Sequence, residues 1–67
     1  MEYLMNFGEN LRKILLDKGI KHSYMAEKLD MSQQRFHWVS KSRDVKLSLA
    51  VKIADALEIT VYDLAGK

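Results

Sequence analysis

The sequence has no cysteine and no proline, and only three of its 67 residues are glycine. Without cysteine the chain forms no disulfide, thiolate zinc site or iron–sulfur centre, and it has no cysteine nucleophile. The shortage of proline and glycine argues against a turn-rich all-β fold and favours helices joined by short turns. No apolar run approaches the ~18 residues of a membrane span, so we expect no membrane partner.

The chain also lacks the features that an enzyme or a metalloprotein needs. A single domain of this length leaves little room for a catalytic cleft. The two histidines, His22 and His37, lie fifteen positions apart, with no carboxylates at ligand spacing beside them. We find no nucleophile with a matching base and no phosphate-cradling glycine loop. The sequence therefore predicts a protein that is not an enzyme and that holds no metal and no cofactor.

The charge is small but unevenly placed, with a net value of +2. In the middle of the chain Arg35, Lys41, Arg43 and Lys46 are accompanied only by the acidic Asp44. A basic patch beside a near-neutral remainder suits the phosphate backbone of nucleic acid. Solvated surface charge gives the same pattern, so this observation alone does not decide the partner.

Apolar residues recur at helical spacing and predict five short helices around one core, with no strand. Residues 1–5 are expected to form a flexible extension of this single domain. The predicted helices cover residues 6–18, 20–30, 33–40, about 47–57 and about 60–65. In the fourth helix the predicted inner stripe consists of Leu47, Ala50, Val51, Ala54 and Leu57.

Several helix ends have recognisable residues. Asn6 followed by Glu9 predicts a capping box for the first helix, and Thr60 begins the same pattern before the fifth. Ser32 is a favourable N-cap for the third helix. Gly19 is expected to end the first helix, because glycine adopts the left-handed conformation at low cost.

Residues 22–41 have the spacing of a helix-turn-helix. Ala26 falls where the two helices cross, Met31 fills the turn, and Phe36 and Val39 fix the second helix to the core. The residues that this phase leaves facing outward are Ser32, Gln33, Gln34, His37, Trp38 and Lys41.

With these elements the chain resembles the Cro/repressor, or Xre, type of helix-turn-helix, and in particular the Cro and repressor domains of lambdoid phages. The resemblance rests on Met-Ala-Glu-Lys-Leu at residues 25–29, Ser-Gln-Gln at residues 32–34, and residues 52–60, in this order and spacing. It implies an all-α, five-helix, lambda-repressor-like DNA-binding fold. It also implies a repressor that binds double-stranded operator DNA as a homodimer.

The sequence departs from the family pattern at the turn and around the two helices. Asp30 stands where glycine is frequent, and aspartate tolerates left-handed backbone better than most residues. His22 replaces a common glutamine, and Ser-Lys-Ser at residues 40–42 replaces Glu-Asn-Gly. The connection to the fourth helix is also one residue shorter. The changes at residues 40–42 and in this connection affect a loop that lies on the DNA backbone in the family.

Gln33 and Gln34 are the strongest candidates for reading bases, since a glutamine amide matches the major-groove edge of adenine bidentately. The motif places this end of the helix against base edges. His37 and Trp38 share the face and complete the predicted set of base contacts. The predicted phosphate contacts are Lys21, His22, Ser32, Arg35, Lys41, Ser42, Arg43 and Lys46.

Trp38 has three interpretations. Its helical phase places it outward, between the inward-facing Phe36 and Val39. There it would contact thymine methyls or sugar edges, anchor a protein–protein contact, or fold back over the edge of the core. An exposed Trp38 favours the first two interpretations.

The C-terminal part of the chain is densely apolar. In the family this end commonly forms the dimer. The predicted dimer interface consists of Leu57, Ile59, Val61, Tyr62 and Leu64.

Two functions are consistent with these features. The first is a cytoplasmic transcriptional regulator, a Cro-like repressor in a bacterial or phage-infected cell. The second is an interaction module of the same fold, such as an antitoxin, antirepressor or inhibitor, whose Trp38 face binds a protein partner.

Overall fold

A computed structural model describes residues 6–66 and the backbone of residues 3–4, and it confirms the all-α, five-helix fold. In chain order the elements are β1 (Tyr3–Leu4), α1 (Phe7–Lys18), α2 (His22–Lys28), α3 (Gln33–Lys41), β2 (Val45–Lys46), α4 (Leu47–Leu57) and α5 (Val61–Leu64). Within the described residues, no helix combines the length and apolarity needed to cross a bilayer.

The two short strands were not predicted from the sequence. They pair antiparallel, with Tyr3 opposite Lys46 and Leu4 opposite Val45. A strand of two residues is too short to show an alternating pattern, so neither strand was predicted. Part of the predicted flexible extension thus pairs with the segment before α4, while residues 1, 2 and 5 lie outside the described residues.

Three of the predicted helix ends are confirmed. Gly19 ends α1 with a φ of 67°, and its N–H donates to the carbonyls of Leu15 and Leu16. Ser32 Oγ accepts a hydrogen bond from the Arg35 N–H at 3.1 Å and caps α3. At α5 the capping box that begins at Thr60 is complete.

The capping box predicted at the start of α1 is wrong. Asn6 has a φ of 56°, and its side chain makes no capping hydrogen bond. The first N–H groups of the helix are satisfied from a distance instead. Phe7 donates to the Arg43 carbonyl and Gly8 donates to the Ser42 carbonyl, each at 2.9 Å. The start of α1 is therefore joined to the loop that follows α3.

Helix α2 is shorter than the predicted 20–30, because the backbone on both sides of it is not helical. Lys21, its N-cap, is extended, with φ −82° and ψ 147°. Beyond its C-terminus Asp30 has a φ of 56°, which fits the tolerance of aspartate for this conformation.

The core contains the predicted apolar stripes with one correction in α4. Ile53 is fully buried, whereas Val51, assigned to the inner stripe, is 41% exposed. Ala50, Ile53, Ala54 and Leu57 follow the i, i+3, i+4, i+7 spacing of one helical face, and Val51 is about 100° away from Ala50 around the helix.

Candidate nucleic-acid interface

Helix α3 presents one side to the core and the other to solvent. Phe36 and Ser40 are fully buried, and Val39 is partly buried against the same core. The remaining six residues of the helix are exposed, and we call them the outer face of α3: Gln33, Gln34, Arg35, His37, Trp38 and Lys41. All four predicted base contacts therefore lie together on one surface.

One line of this face runs through Gln34, Trp38 and Lys41, which are separated by four and three positions and are all exposed. Trp38 is 72% exposed. Its indole therefore does not fold back over the core, which leaves the DNA and protein-contact interpretations.

Helix α2 holds the N-terminal half of α3 in place. Ala26 is buried, and its carbonyl accepts a hydrogen bond from the Met31 N–H at 2.9 Å, which closes the turn between the helices. The His22 ring meets the buried Phe36 ring edge-on, with centroids 5.3 Å apart. His22 thus lies at the junction of the two helices, half-buried and 6.5 Å from the ring of His37.

The C-terminal half of α3 is held by hydrogen bonds that the sequence did not indicate. Ser40 Oγ donates to the His37 carbonyl at 2.8 Å, and Ser42 Oγ donates to the Trp38 carbonyl at 2.9 Å. Arg12 of α1 donates through Nη1 to the Ser40 carbonyl. The backbone that carries His37 and Trp38 is therefore fixed from two sides.

The close packing at Gly8 was not predicted from the sequence either. A Cβ at this position would lie 2.4 Å from the Ser42 carbonyl oxygen and 2.6 Å from that of Ser40. Only glycine lets α1 approach the end of α3 so closely. An isolated glycine inside a helical pattern was the available indication of this packing.

Basic residues lie around the contact between the start of α1 and the end of α3. A cavity of about 280 Å³ is lined by Asn6, Glu9, Arg12, Lys41, Ser42 and Arg43. Glu9 lies 3.9 Å from Lys13 of the next turn, in an exposed ion pair. Lys41 and Arg43, both predicted phosphate contacts, are exposed here, and Arg12 adds a third cation.

The other predicted phosphate contacts lie on different elements. Lys21 precedes α2, Arg35 belongs to the outer face of α3, and Lys46 precedes α4; all three are exposed. Ser32 Oγ acts as an acceptor in the cap of α3, and the residue is exposed. Ser42 differs: its hydroxyl donates to Trp38, and its N–H donates to the Val39 carbonyl at 3.1 Å. Both donors of Ser42 therefore hold the end of α3.

The residues predicted to form a dimer do not lie on one surface. Leu57 and Leu64 are buried in the core, so their side chains are not available to a partner. Ile59 and Val61 are partly buried against the same core, whereas Tyr62 is 72% exposed.

A comparison with models of known protein families identifies the family to which this set of helices belongs. The model of the Cro/C1-type HTH DNA-binding domain matches residues 10–66. The chain belongs to this family. A search of curated proteins and a search of solved structures each returned no match.

Membership of the Cro/C1-type family confirms the resemblance seen in the sequence and gives the chain a DNA-binding domain. The matched range contains the whole helix-turn-helix, the basic loop after α3 and the C-terminal apolar residues. Gly8 precedes the matched range, so its packing against the loop is known only from the structure. Within the described residues, no group of three or more side chains is arranged to hold a metal ion.

Proposed function

We propose that this chain is a sequence-specific transcriptional regulator, a Cro-like repressor, that inserts α3 into the major groove of operator DNA. The observation that carries the proposal is the composition of the outer face of α3. Two glutamines, a histidine and a tryptophan are exposed there together, and no acidic residue occurs from Met31 to Arg43. Such a face suits a groove that is lined by hydrogen-bonding base edges and bordered by phosphates.

In this proposal, Gln33, Gln34, His37 and Trp38 contact bases. Phosphates are bound on both sides of the groove by Lys21, His22, Ser32, Arg35, Lys41, Arg43 and Lys46. Arg12 joins this set, because it lines the same cavity as Lys41 and Arg43. Ser42 acts indirectly, by holding the backbone of Trp38. A regulator of this kind binds DNA in a bacterial or phage-infected cell, so we expect the protein in the cytoplasm.

The salt dependence of DNA binding tests the proposal. We expect affinity for a duplex selected from a randomised pool to fall steeply with salt, because bound phosphates release counterions. Arg43→Ala should weaken binding to selected and scrambled duplexes alike and reduce the slope of log K against log salt by about 0.9, the value for one phosphate contact. Fluorescence anisotropy over a salt series measures both quantities.

Lys52→Ala is the matched control for Arg43→Ala. Lys52 is also an exposed cation, but it lies on α4, outside the proposed contacts. We expect its removal to leave the slope unchanged. If no duplex from the pool binds the wild-type protein in a salt-dependent way, the DNA proposal is wrong.

We also propose that the protein acts as a homodimer whose contact is centred on Tyr62, the one exposed side chain of the predicted set, with the partly buried Ile59 and Val61 of the same segment contributing. An exposed aromatic residue next to apolar neighbours is typical of an interface anchor. Sedimentation should show a dimer for the wild-type chain and a monomer for Tyr62→Glu, because a buried unpaired charge opposes association. Leu16→Glu is the control, since Leu16 is 82% exposed on α1, and it should remain dimeric. A wild-type monomer at every concentration would rule the dimer out.

One observation favours a second function, an interaction module that binds a protein. Trp38 lines an open cavity of about 390 Å³ together with His37, Lys41 and Ser42. Exposed tryptophan is enriched among residues that anchor protein–protein contacts. In that case the wild-type chain would capture a partner protein, and Trp38→Ala would abolish the capture while DNA of every sequence remained unbound.

A further inference from the structure

We infer that Trp38 makes this protein selective for the C5-methyl group of thymine in the major groove. The inference rests on the proposed DNA-binding function and goes beyond it by naming the chemical group that one side chain recognises. The indole is 72% exposed and lies between the exposed Gln34 and Lys41 on one line of α3.

The surroundings of Trp38 fit a DNA groove better than an apolar protein surface. The other exposed large hydrophobic side chains among the described residues are Leu16, Tyr24, Val51 and Tyr62, and none of them belongs to α3. Trp38 therefore stands alone among amide, imidazole and ammonium groups. A protein-binding anchor normally lies in the hydrophobic centre of an interface, and the outer face of α3 offers no second large apolar side chain to form one.

The chemistry of the major groove indicates which group of a base the indole contacts. Base edges in the major groove present hydrogen-bond donors and acceptors and one apolar group, the thymine methyl. Tryptophan brings a large apolar surface and a single N–H donor. The thymine edge, with its methyl beside the O4 acceptor, matches both properties.

The helix geometry predicts where this thymine lies. Gln34 and Trp38 are four residues apart, which is about 6 Å along the helix axis. Successive base pairs are 3.4 Å apart along a strand. If Gln34 contacts an adenine, the thymine read by Trp38 therefore lies within about two base pairs of it.

The indole is presented from a fixed backbone. Ser42 Oγ bonds the carbonyl of Trp38 itself, and Arg12 bonds that of Ser40, two positions later. The open cavity beside the ring leaves room for a methyl group next to the indole. Because this backbone is already ordered, only the side-chain torsions of Trp38 remain to be fixed on binding, which lowers the entropic cost of the contact.

Deoxyuridine provides the test, because it lacks only the methyl group of thymine. Each thymine of the selected half-site is replaced in turn, and affinity is measured for wild-type protein, Trp38→Ala and Trp38→Phe. For the wild type, one substitution should weaken binding about four-fold, which corresponds to about 0.8 kcal/mol for one buried methyl. For Trp38→Ala, the ratio of the affinities for the thymine duplex and the deoxyuridine duplex should fall to about one. Trp38→Phe keeps an apolar ring and should give a ratio between one and four.

Tyr24→Ala is the matched control, since Tyr24 is an exposed aromatic residue on α2 rather than α3. It should keep the four-fold ratio. Trp38 is the only tryptophan of the chain, so its emission provides a second readout and should shift to the blue when the thymine duplex binds.

The results of these measurements distinguish a failure of the thymine inference from a failure of the proposed DNA-binding function. Salt-dependent binding with no thymine sensitive to loss of its methyl overturns the inference and leaves the DNA function standing. A full four-fold ratio in Trp38→Ala, or emission unchanged by DNA, overturns it in the same way. If no duplex binds in a salt-dependent manner, both are wrong.

Discussion

Replacing Gly8 by alanine is expected to destabilise the protein by about 3 kcal/mol, at the upper end of the usual range for overpacking. The added Cβ would lie 2.4 Å and 2.6 Å from the carbonyl oxygens of Ser42 and Ser40. Both are backbone atoms, so the clash cannot be relieved by rotating a side chain. Helix propensity alone predicts the opposite sign, because alanine is favoured over glycine by about 1 kcal/mol inside a helix. Thermal unfolding followed by circular dichroism gives the sign directly.

Gly8→Ala should also alter the proposed DNA-binding surface. Relief of the clash requires the segment 40–43 to move away from α1, and this segment carries Lys41 and Arg43. We therefore expect the folded fraction of Gly8→Ala to bind all duplexes more weakly, with a smaller salt slope.

Gly19→Ala separates this effect from the general consequences of losing a glycine. Gly19 has a φ of 67°, and a Cβ there would meet no atom within 4 Å. Its replacement should cost about 1–2 kcal/mol of backbone strain and leave DNA binding unchanged. If Gly8→Ala were as stable as the wild type, the close packing of α1 against the end of α3 would be incorrect.

The outer face of α3 was predictable because it depends on local spacing. Phe36 and Val39 set the phase of a nine-residue helix, and Ser32 marks its start. Once that phase is fixed, the exposure of Gln34 and Trp38 follows from the 3.6-residue period alone. The family resemblance was visible for the same reason, since its elements are short stretches in a fixed order.

What the sequence did not reveal depends on contacts between distant residues. Arg12 and the Ser40 carbonyl are 28 positions apart, and no local pattern joins them. Val51 and Ile53 are both apolar, and only the packing of α4 against its neighbours determines which one is buried. The split of the C-terminal apolar residues into core and surface has the same cause. A dense apolar segment indicates burial, but it does not show whether the core or a partner covers each residue.

The largest effect on sequence recognition is expected for Gln34→Ala, with a loss of about 1–3 kcal/mol on the selected duplex and little change on scrambled DNA. Gln34 is exposed in the first turn of α3, and within the part of the chain that the structure describes its amide makes no hydrogen bond. Its donor and acceptor are therefore free to meet the N7 and N6 groups of one adenine. Because the side chain is exposed, the substitution should leave the melting temperature close to that of the wild type.

A modified base identifies the partner of Gln34. Replacing an adenine of the selected site by 7-deazaadenine removes the N7 acceptor and should weaken binding of the wild type at one position. Gln34→Ala should be insensitive to that replacement, whereas Arg43→Ala, which lacks only a phosphate contact, should respond as the wild type does. Equal losses for Gln34→Ala on selected and scrambled duplexes would instead place this side chain on the backbone, since phosphates carry no sequence information.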